Sequence, residues 1–274
     1  FSSLDGVFNL LEFNGYTYNN LHFTGSIQKQ KFNGDFKAND PNFDFTSFIE
    51  IDLSGDQPKF NILGDLQKAN FKELNFTKDK VSLTGLFDLN FTGRNIDDFL
   101  GTAKILNATL LHDSTKLDFD SLSVTSYYND TLKKVLTINS NQFNFMVAGK
   151  YRILDLPNSF QLFLSRYYPA YINPPKNTPK NQQFFLRFST SDFSTYASVI
   201  DQRLSGFDDV RITGGVDTEK KDSGFFVVAN IPDARFERYT LSNAEIIGVG
   251  SYDSLHLTGN LGRMQVSDSM FFPN

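Results

Sequence analysis

The sequence predicts an all-β fold made of many short strands. The chain of 274 residues carries 30 Phe and 11 Tyr, yet its mean hydropathy is negative, at -0.31. The reason is that Asn, Asp, Ser, Thr and Lys alternate with the apolar residues. Such alternation places one face of a strand against apolar groups and the other face in water. A disordered chain could not keep so much aromatic surface in water.

Residues 1–155 are predicted to be a long run of alternating strands. In residues 21–27, Leu21, Phe23 and Ile27 fall on one face. Similar alternation recurs in residues 43–55, 81–85 and 117–120. Each run is too short for a helix and is rich in β-forming residues, so strands are expected.

A degenerate unit recurs in these strands: an apolar residue, then Thr, Asn or Ser, then Gly. The units end at Gly25, Gly34, Gly55, Gly85, Gly93 and Gly259. Gly after an outward polar residue is typical of a bend or a bulge at a strand end. Because the spacing is irregular, we expect stacked meandering strands that are solenoid-like but not a strict solenoid.

Residues 156–183 interrupt the strand pattern. Pro157 suits a helix start, and an apolar stripe follows at helical spacing. Its members are Phe160, Phe163, Leu164, Tyr167, Tyr168 and Tyr171. Pro169 is expected to kink or end this helix. Residues 173–180 predict a Pro-rich extended linker, and we expect the main internal boundary of the chain here.

Residues 184–274 are predicted to open with a second helix and then return to strands. Ser191 or Asp192 is the expected N-cap and Gly206 the expected end, with one apolar side formed by Phe193, Tyr196, Ile200 and Leu204. Strands resume near Val210. We expect the pattern to continue beyond the chain, which would make it an internal fragment of a longer protein.

Composition argues against several classes of protein. The formal net charge is -5, and no basic stripe of the kind that nucleic-acid binding requires is present. The chain contains no Cys, which removes disulfides, thiolate nucleophiles and Cys-based metal sites. Its apolar stretches are far shorter than the roughly 20 residues of a spanning helix.

Candidate catalytic groups are few. The three histidines, His22, His112 and His256, lack the spacing of a metal site. Paired acids occur at Asp97–Asp98, Asp118/Asp120 and Asp208–Asp209. A glycosidase uses two such carboxylates, but strand alternation alone puts acids like Asp118 and Asp120 on one wet face. We therefore expect no enzyme activity, no metal and no cofactor.

The order of several segments resembles a known family. The segments are Ile51–Gly55, Ala69–Asn70, Leu74–Thr77, Leu83–Gly85, Asn90–Phe99, Leu117–Leu122 and Leu156–Ile172. Together they resemble the repetitive β region of the TamB proteins of Bacteroidota, which belong to the translocation and assembly module family and to the AsmA-like envelope proteins. The likeness covers essentially the whole chain, and it rests on the order of degenerate structural motifs.

This resemblance implies an elongated sheet curled into a half-pipe, or β-taco, with an apolar interior. It further implies a periplasmic location, as part of a protein anchored in the inner membrane. The implied roles are phospholipid transport between the two membranes and assembly of outer-membrane proteins. A BamA-like outer-membrane partner would bind through a region outside this chain, and the family has no catalytic residues.

On alternation alone, ten residues are expected to line a groove for phospholipid acyl chains. They are Phe23, Ile27, Phe43, Phe45, Ile51, Leu83, Phe119, Leu122, Ile138 and Phe145. Open sheet edges are expected to pair with the rest of the protein's own chain. The aromatic helix is either a plug that packs on the sheet or a lid that contacts lipid.

Two other functions fit the same pattern. A chaperone-like module would recruit outer-membrane strands to its sheet edges, and an adhesin-type β stalk would close its apolar faces on each other. Five Asp-Ser or Asp-Thr tripeptides also resemble O-glycosylation acceptors of Bacteroidota. Their acceptor residues are Ser114, Ser121, Thr131, Ser254 and Ser269.

Overall fold

In a computed structural model, the protein is mostly antiparallel β-sheet. The structure describes residues 2–220, 222–251, 253–267 and 270–273, which include two short α-helices. The prediction of an all-β fold with one or two short helices is confirmed at this level. Within these ranges, no helix has both the length and the apolar character that crossing a membrane requires.

The chain forms two compact units, residues 1–125 and 126–274. The segment 156–183 lies inside the second unit. Hydrogen bonds and burial tie it to the rest of that unit. Gln182 accepts a hydrogen bond from the backbone N–H of Arg152 at 3.0 Å, and both Pro175 and Pro179 are buried.

The first unit is an antiparallel meander. Its strands are β1 (Ser2–Phe13), β2 (Tyr16–Gln28), β3 (Lys31–Asp40), β4 (Phe43–Asp52), β5 (Lys59–Asn70), β6 (Val81–Thr92) and β7 (Leu100–His112), and β8 (Thr115–Tyr128) begins in this unit and ends in the second. Each strand from β1 to β6 pairs with the next one in sequence. A single helical turn of the 3-10 type, Ile96–Asp98, precedes β7.

The second unit combines a meander with both helices. Its elements are β9 (Lys134–Ser140), β10 (Phe143–Lys150), α1 (Leu156–Tyr167), β11 (Gln183–Thr190), α2 (Ser194–Ile200), β12 (Leu204–Gly206), β13 (Arg211–Asp217), β14 (Phe225–Phe236), β15 (Tyr239–Gly250), β16 (Leu255–Ser267) and β17 (Met270–Pro273). The ladder runs β9–β10–β11–β13–β14–β15–β16–β17. The short β12 pairs with the C-terminal end of β14.

Glycine plays a different role from the one expected at three of the recurring units. Gly25, Gly34 and Gly259 lie inside strands and not at strand ends. Gly25 and Gly34 are direct cross-strand partners. A Cβ on Gly25 would come within 2.8 Å of the Cα of Gly34, so neither position has room for a side chain. Gly85 also lies inside its strand, but it fits the expectation of a bulge, because it has a φ of +152° at a register shift in β6.

Three asparagines inside strands adopt left-handed backbone conformations. They are Asn20 in β2, Asn107 in β7 and Asn243 in β15, with φ values of 53°, 48° and 53°. Asn is among the few residues that tolerate this region. At Asn20 the alternation changes phase, so that Tyr18 and Leu21 belong to the same buried cluster although they are three residues apart.

Both helices are shorter than predicted. α1 ends at Tyr167, so Tyr168 and Tyr171 lie outside it, and placing them on its stripe was wrong. The reason is Pro169, which disfavours helical backbone at Tyr168. α2 ends at Ile200, because residues 204–206 pair with β14 as a strand. Its first turn is capped by Asp208, which accepts from the N–H groups of Phe193 and Ser194, and not by Ser191 or Asp192.

Candidate functional site

The sheet register of the first unit gathers apolar side chains on one face. Phe23 pairs with Phe36, Ile27 with Phe32, and Phe32 with Ile51. Partners in an antiparallel ladder share a face, so these residues form rows that run across the strands. We call this surface the apolar face. Its large members in β2–β6 are Leu21, Phe23, Ile27, Phe32, Phe36, Phe43, Phe45, Ile49, Ile51, Phe60, Ile62, Leu66, Leu83, Phe87, Leu89 and Phe91.

The opposite face of these strands is mostly polar. In β3 it carries Lys31, Asn33, Asp35, Lys37 and Asn39, all exposed. Three large apolar residues interrupt it. Phe48 and Leu63 are a cross-strand pair, 37% and 50% exposed, and Leu86 is 42% exposed. The contrast between the two faces shows that alternation, and not overall hydrophobicity, sets the chemistry of each side.

One part of the apolar face is covered. Its buried cluster consists of Tyr18, Leu21, Ala38, Leu66, Ala69 and Leu74. Leu74 comes from the loop between β5 and β6, which folds onto the sheet. The side chains of Asn14 and Asn75 hold this loop, because each donates a hydrogen bond to the other's backbone carbonyl, at 2.8 and 3.2 Å.

Aromatic rings run across the apolar face in contact with one another. Phe8 meets Phe23 at a ring-centroid distance of 5.8 Å, and Phe23 meets Phe36 at 4.5 Å. Phe36 meets Phe45 at 6.2 Å, and Phe45 meets Phe87 at 6.3 Å. These separations are in the range of favourable ring pairs, so the face is a connected surface and not a set of isolated side chains.

Other parts of the face remain open to solvent. Ile27 is 44% exposed, and on β1 Phe8 and Phe13 are 48% and 60% exposed. Phe60 and Phe91 stack on each other at 4.9 Å and are half-buried. The apolar face therefore combines a buried cluster with solvent-exposed residues. We call the exposed part, at Phe8, Phe13 and Ile27, the accessible margin.

The structure places the predicted groove residues in three groups. Phe23, Ile27, Phe43, Phe45, Ile51 and Leu83 all lie on the apolar face. Phe119 and Leu122 lie in β8, which is continuous. Both residues are half-buried there. Ile138 and Phe145 are cross-strand partners in the second unit.

In the second unit the helices cover the face to which Phe145 belongs. Phe160 meets Phe184 at 5.7 Å and Phe163 meets Phe225 at 5.8 Å. Near the other helix, Phe193 meets Phe188 at 5.8 Å. Phe184, Phe188 and Phe225 share one face by register, so α1 and α2 pack on the same side of the sheet.

The predicted helix stripe is divided between buried and exposed positions. Phe163 has no solvent exposure, and Leu164 is half-buried. The Tyr167 hydroxyl donates a hydrogen bond to the carbonyl of Ser251 at 2.7 Å. Tyr171, beyond the helix, is 89% exposed. The contacts of α1 are thus those of a helix that packs on the sheet.

A buried carboxylate was missed by sequence reasoning. Asp40 is 3% exposed and accepts hydrogen bonds from the Tyr16 hydroxyl at 2.6 Å, the Asn19 backbone and side chain, and the Asn42 backbone. Burial alone raises the pKa of Asp40, but these donors outweigh it, and the pKa is lowered. The Asp-Pro pair at 40–41 indicates a turn, and nothing in its sequence indicates burial.

The polar candidates of the sequence form local contacts. His22 lies 3.1 Å from Asp5, and Asp118 accepts from Thr109 and pairs with Lys116 at 2.9 Å. Asp97 and Asp98 donate their backbone N–H groups to Asn95. Among the described residues, no three His or acidic side chains are grouped in a way that could hold a metal ion.

The O-glycosylation candidates differ in accessibility. Ser114, Thr131 and Ser254 are exposed, whereas Ser121 is half-buried within β8. Ser269 lies outside the described residues. All five candidates remain predictions.

Comparison with known proteins gives no relative. No family model matches the chain, and neither the curated proteins nor the solved structures contain a significant match. The likeness to TamB proteins therefore stays a prediction, and the apolar face has to be interpreted from its own chemistry.

Proposed function

We propose that the chain is a segment of a periplasmic bridge whose apolar face carries phospholipid acyl chains between the inner and outer membranes. The observation that supports it is the accessible margin of the apolar face, at Phe8, Phe13 and Ile27. In this proposal the sheet curls so that the face forms the inside of a groove, and the polar face meets water.

The energetics favour such a groove. Two acyl chains expose about 30 methylenes to water, at roughly 0.8 kcal/mol each, a barrier on the order of 20 kcal/mol. A connected aromatic surface removes most of this cost along its length. Phe and Ile supply contact area without a hydrogen-bond pattern, so binding is weak at each point and unselective among lipids.

The test is photocrosslinking to lipid from matched positions on the two faces. A benzophenone side chain at Ile27, on the apolar face, is expected to capture phospholipid in cells. The control position is Leu63, which has similar exposure on the opposite face. Equal capture from both positions, or none from Ile27, would refute the proposal.

Introducing a negative charge at the same two positions tests the proposal in a second way. Ile27→Asp is expected to abolish lipid co-purification, because acyl chains that cover a carboxylate remove its water without replacing the lost hydrogen bonds, whereas Leu63→Asp leaves it unchanged. Native mass spectrometry of the protein extracted from membranes measures the bound lipid.

One observation favours a second function, assembly of outer-membrane proteins by strand addition. β1 is the outer strand of the ladder β1–β7 and has exposed apolar residues on both faces, including Val7 at 63% and Leu10 at 68%. A long apolar outer strand is a template for another strand. A crosslinker at Val7 that captures outer-membrane polypeptide, with no lipid captured at Ile27, would favour this function.

A further inference from the structure

The second unit exposes apolar residues on the face of its sheet that lies opposite to both helices. Phe226 and Val228 in β14 are 40% and 46% exposed, and Ile247 and Val249 in β15 are each 52% exposed. Phe226 pairs with Val249 and Val228 with Ile247, so the four side chains form two adjacent rows. Their face is opposite to that of Phe225, which packs against α1. We call these four residues the β14–β15 patch.

The patch is flat. The Phe226 ring lies over its cross-strand partner Gly215 in β13, where a Cβ would collide with the ring. The same ring contacts the Phe185 ring of β11 at a centroid distance of 6.4 Å. The largest side chain of the patch therefore lies along the sheet and does not project from it. A flat apolar surface of this kind suits a second sheet, because sheets pack face to face about 10 Å apart.

Charged residues flank the patch in a definite order. The next row of the same face runs from Arg211 in β13 through Asn230 in β14 to Glu245 in β15. All three residues are exposed. Arg187, exposed on the same face of β11, adds a second positive charge beside Arg211. Positive charge thus lies on one side of β14 and negative charge on the other.

We propose that the β14–β15 patch is the interface of a symmetric dimer, in which a second copy of this chain packs on it face to face. A two-fold axis that runs parallel to β14 and passes over Val228 reverses the order of the strands, so β13 faces the partner's β15. Arg211 then faces the partner's Glu245, and Glu245 faces the partner's Arg211. The same operation sets Val249 opposite the partner's Gly215, a position without a side chain.

The order of charges favours a second copy over a lipid as the occupant. An acyl chain makes no use of separate positive and negative groups, whereas an interface between identical copies needs a surface that is complementary to itself. The patch shares no residue with the apolar face of the first unit. The dimer can therefore form whether or not the proposed lipid groove exists.

Sedimentation velocity of the whole chain over a series of concentrations measures the dimer. The natural protein is expected to show a reversible equilibrium between monomer and dimer. Val228→Asp is expected to leave only the monomer, because two carboxylates would face each other in an interface that excludes water. Val228 is 46% exposed, so the monomer should stay folded, which circular dichroism checks.

Charge reversal tests the geometry. Arg211→Glu and Glu245→Arg are each expected to weaken the dimer on the order of tenfold or more, because each brings two pairs of like charges together. The double variant Arg211→Glu/Glu245→Arg restores opposite charges and should dimerise like the natural protein. Lys37→Glu is the matched control, since it changes the net charge by the same amount at an exposed position of the first unit. It should leave the dimer unchanged.

A chain that stays monomeric at every concentration overturns the proposal. So does a dimer that survives Val228→Asp, or a double variant that dimerises no better than the single ones. A benzophenone side chain at Val228 identifies the occupant directly. A crosslink between two copies of the chain supports the proposal, whereas capture of phospholipid or of another protein in its place overturns it.

Discussion

At the scale of single residues, the first unit keeps one negative charge out of water, and its donors among the described residues are uncharged. Asp40 is buried, and hydroxyl and amide donors stabilise its charge. A second layer supports these donors, since the Asn42 side chain donates to the Tyr16 hydroxyl at 3.2 Å and accepts from Asn70 at 2.9 Å. The network ties β2, β5 and the β3–β4 turn together.

Asp40→Asn is expected to lower the free energy of unfolding by about 2 kcal/mol at neutral pH, because hydrogen bonds to a charged acceptor are lost. The folded-state pKa of Asp40 lies below the ordinary 3.8. Its contribution is therefore fully present above pH 3.8 and is lost as the pH falls through the folded-state pKa. Urea unfolding at several pH values measures this.

Asp35→Asn is the matched control, since Asp35 is exposed on the polar face of the same strand. It should cost less than about 0.5 kcal/mol. A difference between the Asp40 variant and the natural protein that persists undiminished at the lowest pH would contradict the assigned role.

At the scale of elements, apolar residues that belong to one predicted helix stripe differ in their burial and secondary structure. The aromatic stripe predicted one helix, but Pro169 splits it into a buried part and an exposed part. The spacing of Phe160 to Tyr167 was sufficient to predict α1. The same kind of spacing could not predict that Leu204 lies in a strand. Its strand pairs with β14, where its partner Phe236 is 32 residues further along the chain.

Phe163→Ala is expected to destabilise the protein by about 3–5 kcal/mol, since the ring is fully buried against Phe225. Tyr171→Ala, from the same predicted stripe, should change stability by less than about 0.5 kcal/mol, because its side chain is 89% exposed. Chemical denaturation compares the two. Similar losses would show that α1 does not pack as described.

The recurring glycine unit offers a second comparison between elements. In Gly34→Ala the new methyl would meet the Thr24 carbonyl oxygen and the Gly25 Cα, both backbone atoms, whereas at Gly55 the nearest atom is 3.8 Å away. Gly34→Ala is expected to cost about 1–3 kcal/mol, because β2 and β3 must separate. Gly55→Ala should be close to neutral or slightly stabilising. Thermal unfolding of both variants tests the difference.

At the scale of the whole molecule, the sequence was informative about faces and uninformative about boundaries. Alternation predicted that Phe23, Phe43, Phe45 and Leu83 share one side of the sheet, and the strand register places them on one face. Long-range ties such as that between Gln182 and Arg152 decide which segments belong to a unit. Such ties join residues far apart in the chain, so composition could not reveal that the Pro-rich segment is part of the second unit.

The proposed lipid-binding surface should be insensitive to salt. Acyl chains on the apolar face carry no charge, so lipid capture from Ile27 should change little between about 0.05 and about 0.5 M salt. Salt-sensitive capture at Ile27 would indicate headgroup contact instead.

The left-handed Asn20 has a consequence for how this sheet can change over time. A single-residue insertion in a regular strand exchanges inside for outside for every position beyond it. Asn20 reverses such an exchange within β2, since Tyr18 and Leu21 both remain in the buried cluster. A left-handed asparagine therefore lets a strand change the phase of its alternation and still keep its large side chains on the same side of the sheet.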